Sequence, residues 1–190
     1  MEDGLLKKRA SEHIEVAQKL LANSQLHVSS AKLASKISSC FRSGGKVLIC
    51  GNGGSAADAQ HMAAEFVGRY LKERRALPAI ALTANTSSLT AIGNDYGFER
   101  VFARQVDALA GKNDVVIGIS TSGNSPNVIL ALEAAKAKGA FTAALVGAMP
   151  CKLDGMADIV LKAPSESTPS IQEMHILIIH TICEMVEQAI

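Results

Sequence analysis

The sequence has no tryptophan, and aromatic residues make up only 4% of its 190 residues. It also lacks an excess of charge of one sign, because 19 basic side chains balance 18 acidic ones and the formal net charge is +1. The overall charge therefore provides no electrostatic basis for binding nucleic acid or an anionic membrane. A negatively charged ligand would have to be held by a local group of donors.

Long hydrophobic runs are missing as well. The longest apolar stretches, such as DVVIGI and ILII, are far shorter than the ~20 residues that span a bilayer. The first residues, MEDGLLKKRASEHIE, contain no apolar region of the signal-peptide type. We therefore expect a cytoplasmic protein that does not enter a membrane.

Cysteine pairs of the C-x-x-C type do not occur. The four cysteines, Cys40, Cys50, Cys151 and Cys183, are widely separated. This spacing suggests neither a disulfide framework nor a thiolate zinc cluster. We expect all four to be small buried hydrophobic residues.

The hydrophobic pattern predicts one domain in which helices and strands alternate. Apolar residues at helical spacing over residues 12–42 predict two helices, with a break near residues 23–25 and an end at Gly44-Gly45. Further helices are expected from Ser55, around residues 101–110, from Ser125 and from Ser170. The predicted strands are KVLIC, PAIAL, DVVIGIS, FTAALVG and DIVLKA.

These strands are typical of a parallel sheet. KVLIC and VVIGI are almost continuously hydrophobic, as expected of strands that are buried on both faces. The predicted fold class is therefore α/β, a three-layer doubly wound sheet of about five mainly parallel strands, preceded by extra N-terminal helices. In such sheets ligands bind beyond the carboxyl ends of the strands.

Two of those strand ends carry similar turns. KVLICGNGGSAAD and DVVIGISTSGNSPNV each continue from a strand through small polar residues and a serine into a helix. Glycines allow close approach of a ligand to the backbone, and a helix N-terminus attracts anions. The hydroxyl groups that would add donors for a phosphate belong to Ser55, Ser120, Thr121, Ser122 and Ser125.

Two other interpretations of these turns remain open. G-N-G-G-S-A also matches the dinucleotide fingerprint, but PAIALTANTSS offers no acid for the ribose, only Thr83 and Asn85. Alternatively, the serines only cap helices, because Ser55 with Asp58 and Ser170 with Glu173 both fit a capping box. The five hydroxyl groups in two matched turns favour the phosphate site.

The helix that follows the first turn carries a polar stripe. Its members are Asp58, His61, Glu65 and Arg69. A neighbouring face of the same helix is apolar and contains Ala59, Met62, Ala63 and Phe66. A surface row of ion pairs is the simpler explanation, but the stripe begins directly at the predicted phosphate turn.

The last helix places histidines in an apolar setting. His180 lies within ILIIHTIC, where a polar group is costly without a partner. Gln172 is about 80° round the helix from it, whereas His175 is about 140° away. A single histidine on an apolar face is more often a core residue than a catalyst, so the helix alone leaves both readings open.

Four motifs together resemble the phosphoheptose isomerases of the sugar isomerase (SIS) domain superfamily. They are GNGGSAADAQHMAAEF, LTAIGNDYGF, GISTSGNSPN and IQEMHILIIH. The resemblance implies a flavodoxin-like SIS domain over residues 1–190, with N-terminal helices in 1–44 that take part in oligomer packing and an α/β core in 45–190. It also implies a homotetramer whose active sites lie between subunits.

The resemblance further implies an aldose–ketose isomerase. Members interconvert sedoheptulose 7-phosphate and D-glycero-D-manno-heptose 7-phosphate through an enediol, the first step towards the ADP-heptose of lipopolysaccharide. Glu65 then corresponds to the base and His180 to the acid. Residues for substrate binding are Asn52, Gly53, Gly54, Ser55, Glu65, Arg69, Asn94, Asp95, Ser120, Thr121, Ser122, Ser125 and Gln172.

The same resemblance implies one zinc ion per subunit. The matching ligands are His61, Glu65, Gln172 and His180, a nitrogen and oxygen set that suits zinc. Glu65 and His180 would keep both roles if ligation rearranges when substrate binds. Two alternatives stay open at this point: a non-catalytic SIS-type regulator that binds a phosphosugar and a replication initiator, and an isomerase of another sugar phosphate. The regulator type lacks the His and Glu pair.

Overall fold

The computed structural model describes residues 4–190, and it begins with the two predicted helices. They are α1 (Leu5–Leu21) and α2 (Ser24–Arg42). The predicted break is confirmed at Asn23, whose side chain accepts a hydrogen bond from the Leu26 amide at 3.0 Å and caps α2. The first helix starts seven residues earlier than the apolar pattern indicates, because that pattern registers buried positions and the first turns of α1 are exposed.

A parallel sheet follows, as predicted. Its strands are β1 (Val47–Gly51), β2 (Ala79–Ala81), β3 (Val115–Ile119), β4 (Phe141–Val146) and β5 (Ile159–Lys162). Within the described residues the strand order is β2-β1-β3-β4-β5, and each neighbouring pair is parallel. This is the flavodoxin-like order, with a switch point between β1 and β3. The register pairs Gly51 with Ile119, so the two Gly/Ser turns leave the sheet side by side.

Five further helices complete the described chain. They are α3 (Gly54–Val67), α4 (Thr86–Tyr96), α5 (Ala103–Leu109), α6 (Pro126–Ala137) and α7 (Thr168–Ala189). The strong apolar pattern of α3, α6 and α7 predicted them within one or two residues. The helix expected around residues 101–110 is shorter, because a 3-10 turn at Phe98–Arg100 precedes it.

One helix, α4, was not predicted. None of its eleven residues is fully buried, and only the half-buried Leu89 and Ile92 pack against the core, so the apolar stripe of α4 is short. Hydroxyl and amide side chains such as those of Thr86 and Asn94 are more typical of turns than of helices. The Asn85 side chain caps α4 by accepting a hydrogen bond from the Ser88 amide at 2.9 Å.

The sheet is covered on both faces, which gives three layers. Val47 and Ile49 point into a core formed with α2, α3 and α7, whereas Leu48 and Cys50 point into a second core with α5 and α6. Alternate side chains of one strand thus serve opposite cores. The doubly wound architecture predicted from the sequence is confirmed.

The capping-box interpretation of two serines is wrong. The residue that precedes α3 is Gly53, and Ser55 already lies inside the helix. Likewise Ser167 precedes α7, so Ser170 is the third helical residue. Neither helix has a side-chain hydrogen bond that caps its start.

The cysteines are free within the described residues: Cys40, Cys50 and Cys183 are buried, as expected, while Cys151 is half-buried. Among residues 4–190, no helix combines the length and the apolar character that crossing a membrane requires.

His175 is the core histidine of α7. It is fully buried, and its Nε2 donates a hydrogen bond to the Val146 carbonyl at 3.2 Å. Burial lowers the pKa of His175 from 6.5 to about 4, although the bond to Val146 partly opposes this shift. The folded protein therefore keeps this imidazole neutral where the unfolded chain would protonate it.

This burial predicts a pH dependence of stability that His175→Gln should reduce. Between pH 6.5 and 4 the unfolded state binds more protons, so the free energy of unfolding is complete above that window and falls within it. From pH 7 to pH 5 the loss due to His175 is about 2 kcal/mol. Denaturant unfolding at both pH values measures it, and an equal pH dependence in the variant would contradict the assignment.

Candidate active site

The two Gly/Ser turns form one edge of the site. Gly53 and Gly123 have φ of 56° and 63°, a left-handed backbone that favours glycine. Each turn connects a central strand to a helix, α3 after β1 and α6 after β3. Reciprocal amide hydrogen bonds of 2.9 and 2.8 Å between Asn52 and Asn127 join the first turn to α6. The turns are therefore held together as one unit.

The second turn concentrates hydroxyl groups. Ser120 Oγ lies 2.9 Å from Ser125 Oγ and 3.4 Å from Ser122 Oγ, and it accepts a hydrogen bond from the Gly123 amide at 3.1 Å. Ser120 is buried, whereas Ser122 is exposed and available to a ligand. Ser55 of the first turn is also buried. Thr121 is half-buried, and its carbonyl accepts a hydrogen bond from Gly147.

Gln172 reaches the first turn from α7. Its side-chain amide lies so close to Gly54 that a Cβ at this glycine would collide with Gln172 Nε2. Position 54 therefore needs glycine because a larger side chain would not fit beside Gln172. Because α3 and α7 pack side by side with their N-termini at the same edge of the sheet, Gln172 belongs to the region of the turns.

About two to three turns further along these helices, three ligating side chains meet. His61 Nε2 lies 3.0 Å from Glu65 Oε1 and 3.0 Å from His180 Nε2. The ring centroids of the two histidines are 5.0 Å apart. The donor atoms of His61, Glu65 and His180 all lie within 4.8 Å of one another. Helix periodicity accounts for the His61–Glu65 contact, but His180 comes from a different helix 119 residues later.

This triad has the composition of a metal site. Two imidazole nitrogens and a carboxylate oxygen are common zinc ligands, each about 2.0–2.2 Å from the ion. Neighbouring donors of a tetrahedral zinc are then about 3.3 Å apart. The two 3.0 Å separations are close to this spacing, so His61, Glu65 and His180 could hold a metal ion with small adjustments.

Asp58 extends the polar stripe of α3 towards the turns, as predicted. It is half-buried, and within the described residues its Oδ2 has no hydrogen-bond partner. Burial raises the pKa of Asp58 to about 6, while the charge of His61 opposes the shift. The carboxyl group is therefore one whose protonation changes near neutral pH.

Three of the predicted substrate residues are not brought to the triad within the chain. Arg69 lies beyond the end of α3, which Gly68 terminates, and its side chain is 61% exposed with Glu73 at 3.8 Å. The prediction that Arg69 continues the helical stripe is thus wrong, because the helix ends at Val67. Asn94 and Asp95 lie exposed in the last turn of α4, hydrogen-bonded to each other at 2.8 Å.

Tyr70 was not predicted as a site residue. Its ring centroid lies 5.6 Å from that of His180, with the two planes inclined at 31°. Tyr70 follows Gly68 in an irregular segment, and no pattern in the sequence places that segment against α7. The only local signal is that it carries an aromatic residue in a chain with few of them.

A cavity of about 560 Å³ lies away from this site, at the amino edge of the sheet. It is lined by residues such as Lys36, Lys112 and Asp114. Smaller clefts of about 320 and 260 Å³ lie at the two turns, lined among others by Asn52, Ser125 and Ser122. Convergent polar groups at the carboxyl edge identify the site better than cavity size does.

Comparison with known proteins agrees with this geometry. Residues 7–147 match the family model described as the SIS domain. The chain is 55% identical over 183 residues to the phosphoheptose isomerase of Geobacter sp. (strain M21), covering 96% of this chain and 94% of that protein. It is 52% identical over 185 residues to phosphoheptose isomerase 1 of Campylobacter jejuni, covering 97% and 98%.

A solved structure shows the same fold. The phosphoheptose isomerase of Neisseria gonorrhoeae superposes with a TM-score of 0.90 at 44% identity, covering 96% of this chain and 97% of that one. The match extends over almost the full length of both chains, as the sequence resemblance implied. The chain belongs to the SIS domain family and, within it, to the phosphoheptose isomerases.

Proposed function

We propose that this isomerase interconverts sedoheptulose 7-phosphate and D-glycero-D-manno-heptose 7-phosphate in the cytoplasm, at the start of the route to ADP-heptose and lipopolysaccharide. The observation that carries the proposal is the position of the His61–Glu65–His180 triad. Helix α3 begins at the first Gly/Ser turn and carries His61 and Glu65, and α7 begins at the same edge of the sheet and carries His180. The turns offer donors to a phosphate, and the triad offers groups that move protons.

The phosphate is held at the turns in this proposal. Backbone amides at the start of α3 and hydroxyl groups of the second turn point to the same edge of the sheet, where a helix N-terminus favours an anion. No lysine is required, which agrees with the balanced charge of the chain. The proposed phosphate ligands are Ser55, Ser120, Thr121, Ser122 and Ser125, with Asn52, Gly53 and Gly54 lining the pocket.

Isomerisation requires two proton movements. From the ketose, Glu65 removes a proton from C1, and the resulting enediol is reprotonated at C2 to give the aldose. His180 carries the second proton between the two oxygens on these carbons. Glu65 suits the first task because its side chain is only 22% exposed and remains close to His61, while His180 is half-buried beside it.

The proposed metal is one zinc ion, held by His61, Glu65 and His180 with Gln172 as a further ligand. When bound, zinc would supply Lewis-acid polarisation of the sugar oxygens. Asp58 lies near His61 on α3. Tyr70, in the segment after α3, packs against His180. The carboxylate and imidazole keep their proton-transfer roles if ligation loosens as the sugar enters.

Gln172 supports a site shared between subunits. Its amide lies at Gly54, and α3 rises about 10 Å between Gly54 and His61. A glutamine amide held at the turn cannot also ligate a metal at the triad of the same chain. In the proposal a second copy supplies the Gln172 ligand and brings Arg69, Asn94 and Asp95 to the sugar.

Exposed apolar side chains support a homotetramer. Phe98 is 63% exposed and Leu71 is 60% exposed, and both flank elements next to the site. The N-terminal helices add Leu6 and Leu21, at 81% and 74%. We therefore propose one SIS domain over residues 1–190, in which residues 1–44 pack between subunits and 45–190 form the α/β core.

Isotope incorporation tests the reaction directly. The protein is incubated with sedoheptulose 7-phosphate in deuterated water, with and without added zinc, and the products are examined by NMR. We expect aldose product with deuterium on C2. Absence of turnover in both conditions would refute the proposed activity and favour a phosphosugar-binding regulator, whereas faster turnover of a six-carbon ketose phosphate would change the proposed substrate.

Ser122→Ala should weaken substrate binding more than chemistry. Because Ser122 is exposed at the second turn, we expect loss of its hydroxyl to raise KM by about tenfold, the effect of one hydrogen bond to a charged group, with kcat within about twofold. Ser39→Ala, an exposed serine of α2, is the control and should leave KM unchanged. Equal KM values for both variants would exclude Ser122 from the phosphate site.

A further inference from the structure

Glu187 is a buried carboxylate near the end of α7, outside the triad. Its side chain is only 2% exposed. Its Oε1 accepts a hydrogen bond from the Tyr70 amide at 2.9 Å, and its Oε2 accepts bonds from the Leu71 and Lys72 amides at 2.7 and 2.8 Å. Three consecutive backbone N–H groups therefore converge on one carboxylate, an arrangement that binds an anion and holds the loop.

Arg74 completes this arrangement. Its Nε lies 3.2 Å from Glu187 Oε1, and its side chain is only 8% exposed. Burial opposes ionisation of Glu187, but the three amides and Arg74 together keep its pKa below the ordinary value. The pair is thus a charged ion pair that connects the end of α7 to the segment after α3.

The other end of Arg74 binds the last turn of α3. Its guanidinium donates to the carbonyl oxygens of Glu65 at 2.6 Å, Phe66 at 2.9 Å and Gly68 at 3.1 Å. The final carbonyls of a helix have no partners within it, and a cation there also complements the helix dipole. Arg74 therefore fixes the peptide group of the proposed base itself.

The loop held by Glu187 also leads to the proposed acid. Glu187 binds the amide of Tyr70, whose ring lies against His180 with centroids 5.6 Å apart. One ion pair consequently contacts the backbone of Glu65, a member of the triad, and the backbone of Tyr70, whose ring packs against His180. Its own charged groups hydrogen-bond to backbone atoms and not to the triad side chains.

We propose that the Arg74–Glu187 pair positions Glu65 and, through Tyr70, His180 for proton transfer and metal ligation. The part of this inference that concerns proton transfer rests on the proposed function, whereas the part that concerns metal ligation does not. Both residues are positioning residues, since neither contacts the reacting atoms in the proposed mechanism. A shift of about 1 Å in catalytic geometry can lower a rate by about 10²-fold.

Arg74→Lys and Glu187→Gln test this role. Lysine keeps the charge but cannot donate to three carbonyls through a planar fork, and glutamine keeps the shape but loses one acceptor oxygen. We expect kcat to fall about 10- to 100-fold with KM within about threefold. The affinity for Zn²⁺ alone, titrated into metal-free protein by calorimetry, should fall by about tenfold or more.

Asp114→Asn is the matched control. Asp114 is equally buried and accepts hydrogen bonds from the Lys46 and Gly111 amides and from Lys46 Nζ, but it lies at the opposite edge of the sheet. If the Arg74–Glu187 pair only stabilises the fold, all three variants lose thermal stability while kcat and Zn²⁺ affinity stay at the wild-type values. That result would overturn the proposal.

Tyr70 provides a second test if the buried variants fail to fold. Tyr70→Ala should lower kcat about tenfold because His180 loses its packing, and Tyr70→Phe should restore most of it because the ring remains. Wild-type kcat in Tyr70→Ala would refute the role of this contact. If the wild type itself does not turn over the sugar phosphate while the variants still lose Zn²⁺ affinity, the proposed function fails and the positioning role stands.

Discussion

Glu65→Gln is expected to lower kcat by about 10²–10⁴-fold, the usual contribution of a positioned general base. Glutamine has nearly the same shape as glutamate but cannot accept the proton from the sugar carbon. KM should stay within about threefold, because the Gly/Ser turn where α3 begins lies about three helical turns away from Glu65. Steady-state kinetics with sedoheptulose 7-phosphate, together with loss of deuterium exchange at carbon, measures both effects.

The control for this variant is Glu133→Gln, an exposed glutamate on α6 that should keep the wild-type kcat. Zn²⁺ is supplied at saturating concentration so that weaker ligation does not limit the rate. Activity of Glu65→Gln near the wild-type value would mean that another group removes the proton. Asp58, half-buried and one to two turns earlier on α3, would then be the first candidate.

His180→Gln is expected to lower kcat by about 10²–10³-fold. Glutamine can still hydrogen-bond to the sugar oxygens, but it cannot pass a proton between them as an imidazole does. Steady-state rate measurements at saturating substrate test this result.

His175→Gln is the matched control for His180→Gln. Both histidines lie on α7, but His175 is fully buried and hydrogen-bonded to Val146, whereas His180 lies beside His61. We expect His175→Gln to reduce stability and to keep kcat at a temperature where the protein remains folded. Equal losses of kcat in both variants would show that α7 needs its histidines only for packing.

The architecture followed closely from the hydrophobic pattern. Strands such as VVIGI are buried on both faces, so their apolar runs favoured a parallel sheet, as the structure confirms. Helix α4 escaped prediction for the converse reason, because none of its residues is fully buried within the chain and only Leu89 and Ile92 pack against the core. A sequence pattern reports the surface that an element buries, and an element that buries little leaves little pattern.

The candidate site was predictable where it depends on neighbouring residues. The positive φ at Gly53 and Gly123 and the contact between His61 and Glu65 follow from turn chemistry and helix periodicity. Arg69 was misplaced because periodicity cannot show that α3 ends at Val67. The end of that helix depends on Arg74, which lies outside it and caps its carbonyls.

The sequence by itself therefore determined the fold class, the two Gly/Ser turns and the family, since each depends on local backbone geometry and on motifs of a few residues. Only the tertiary structure decided that His180 meets His61, that Gln172 stays at Gly54, and that Glu187 binds the Tyr70 segment. Those contacts join residues more than a hundred positions apart. They depend on which faces of α3 and α7 pack together, and that choice is made by burial of the whole core and not by neighbours along the chain.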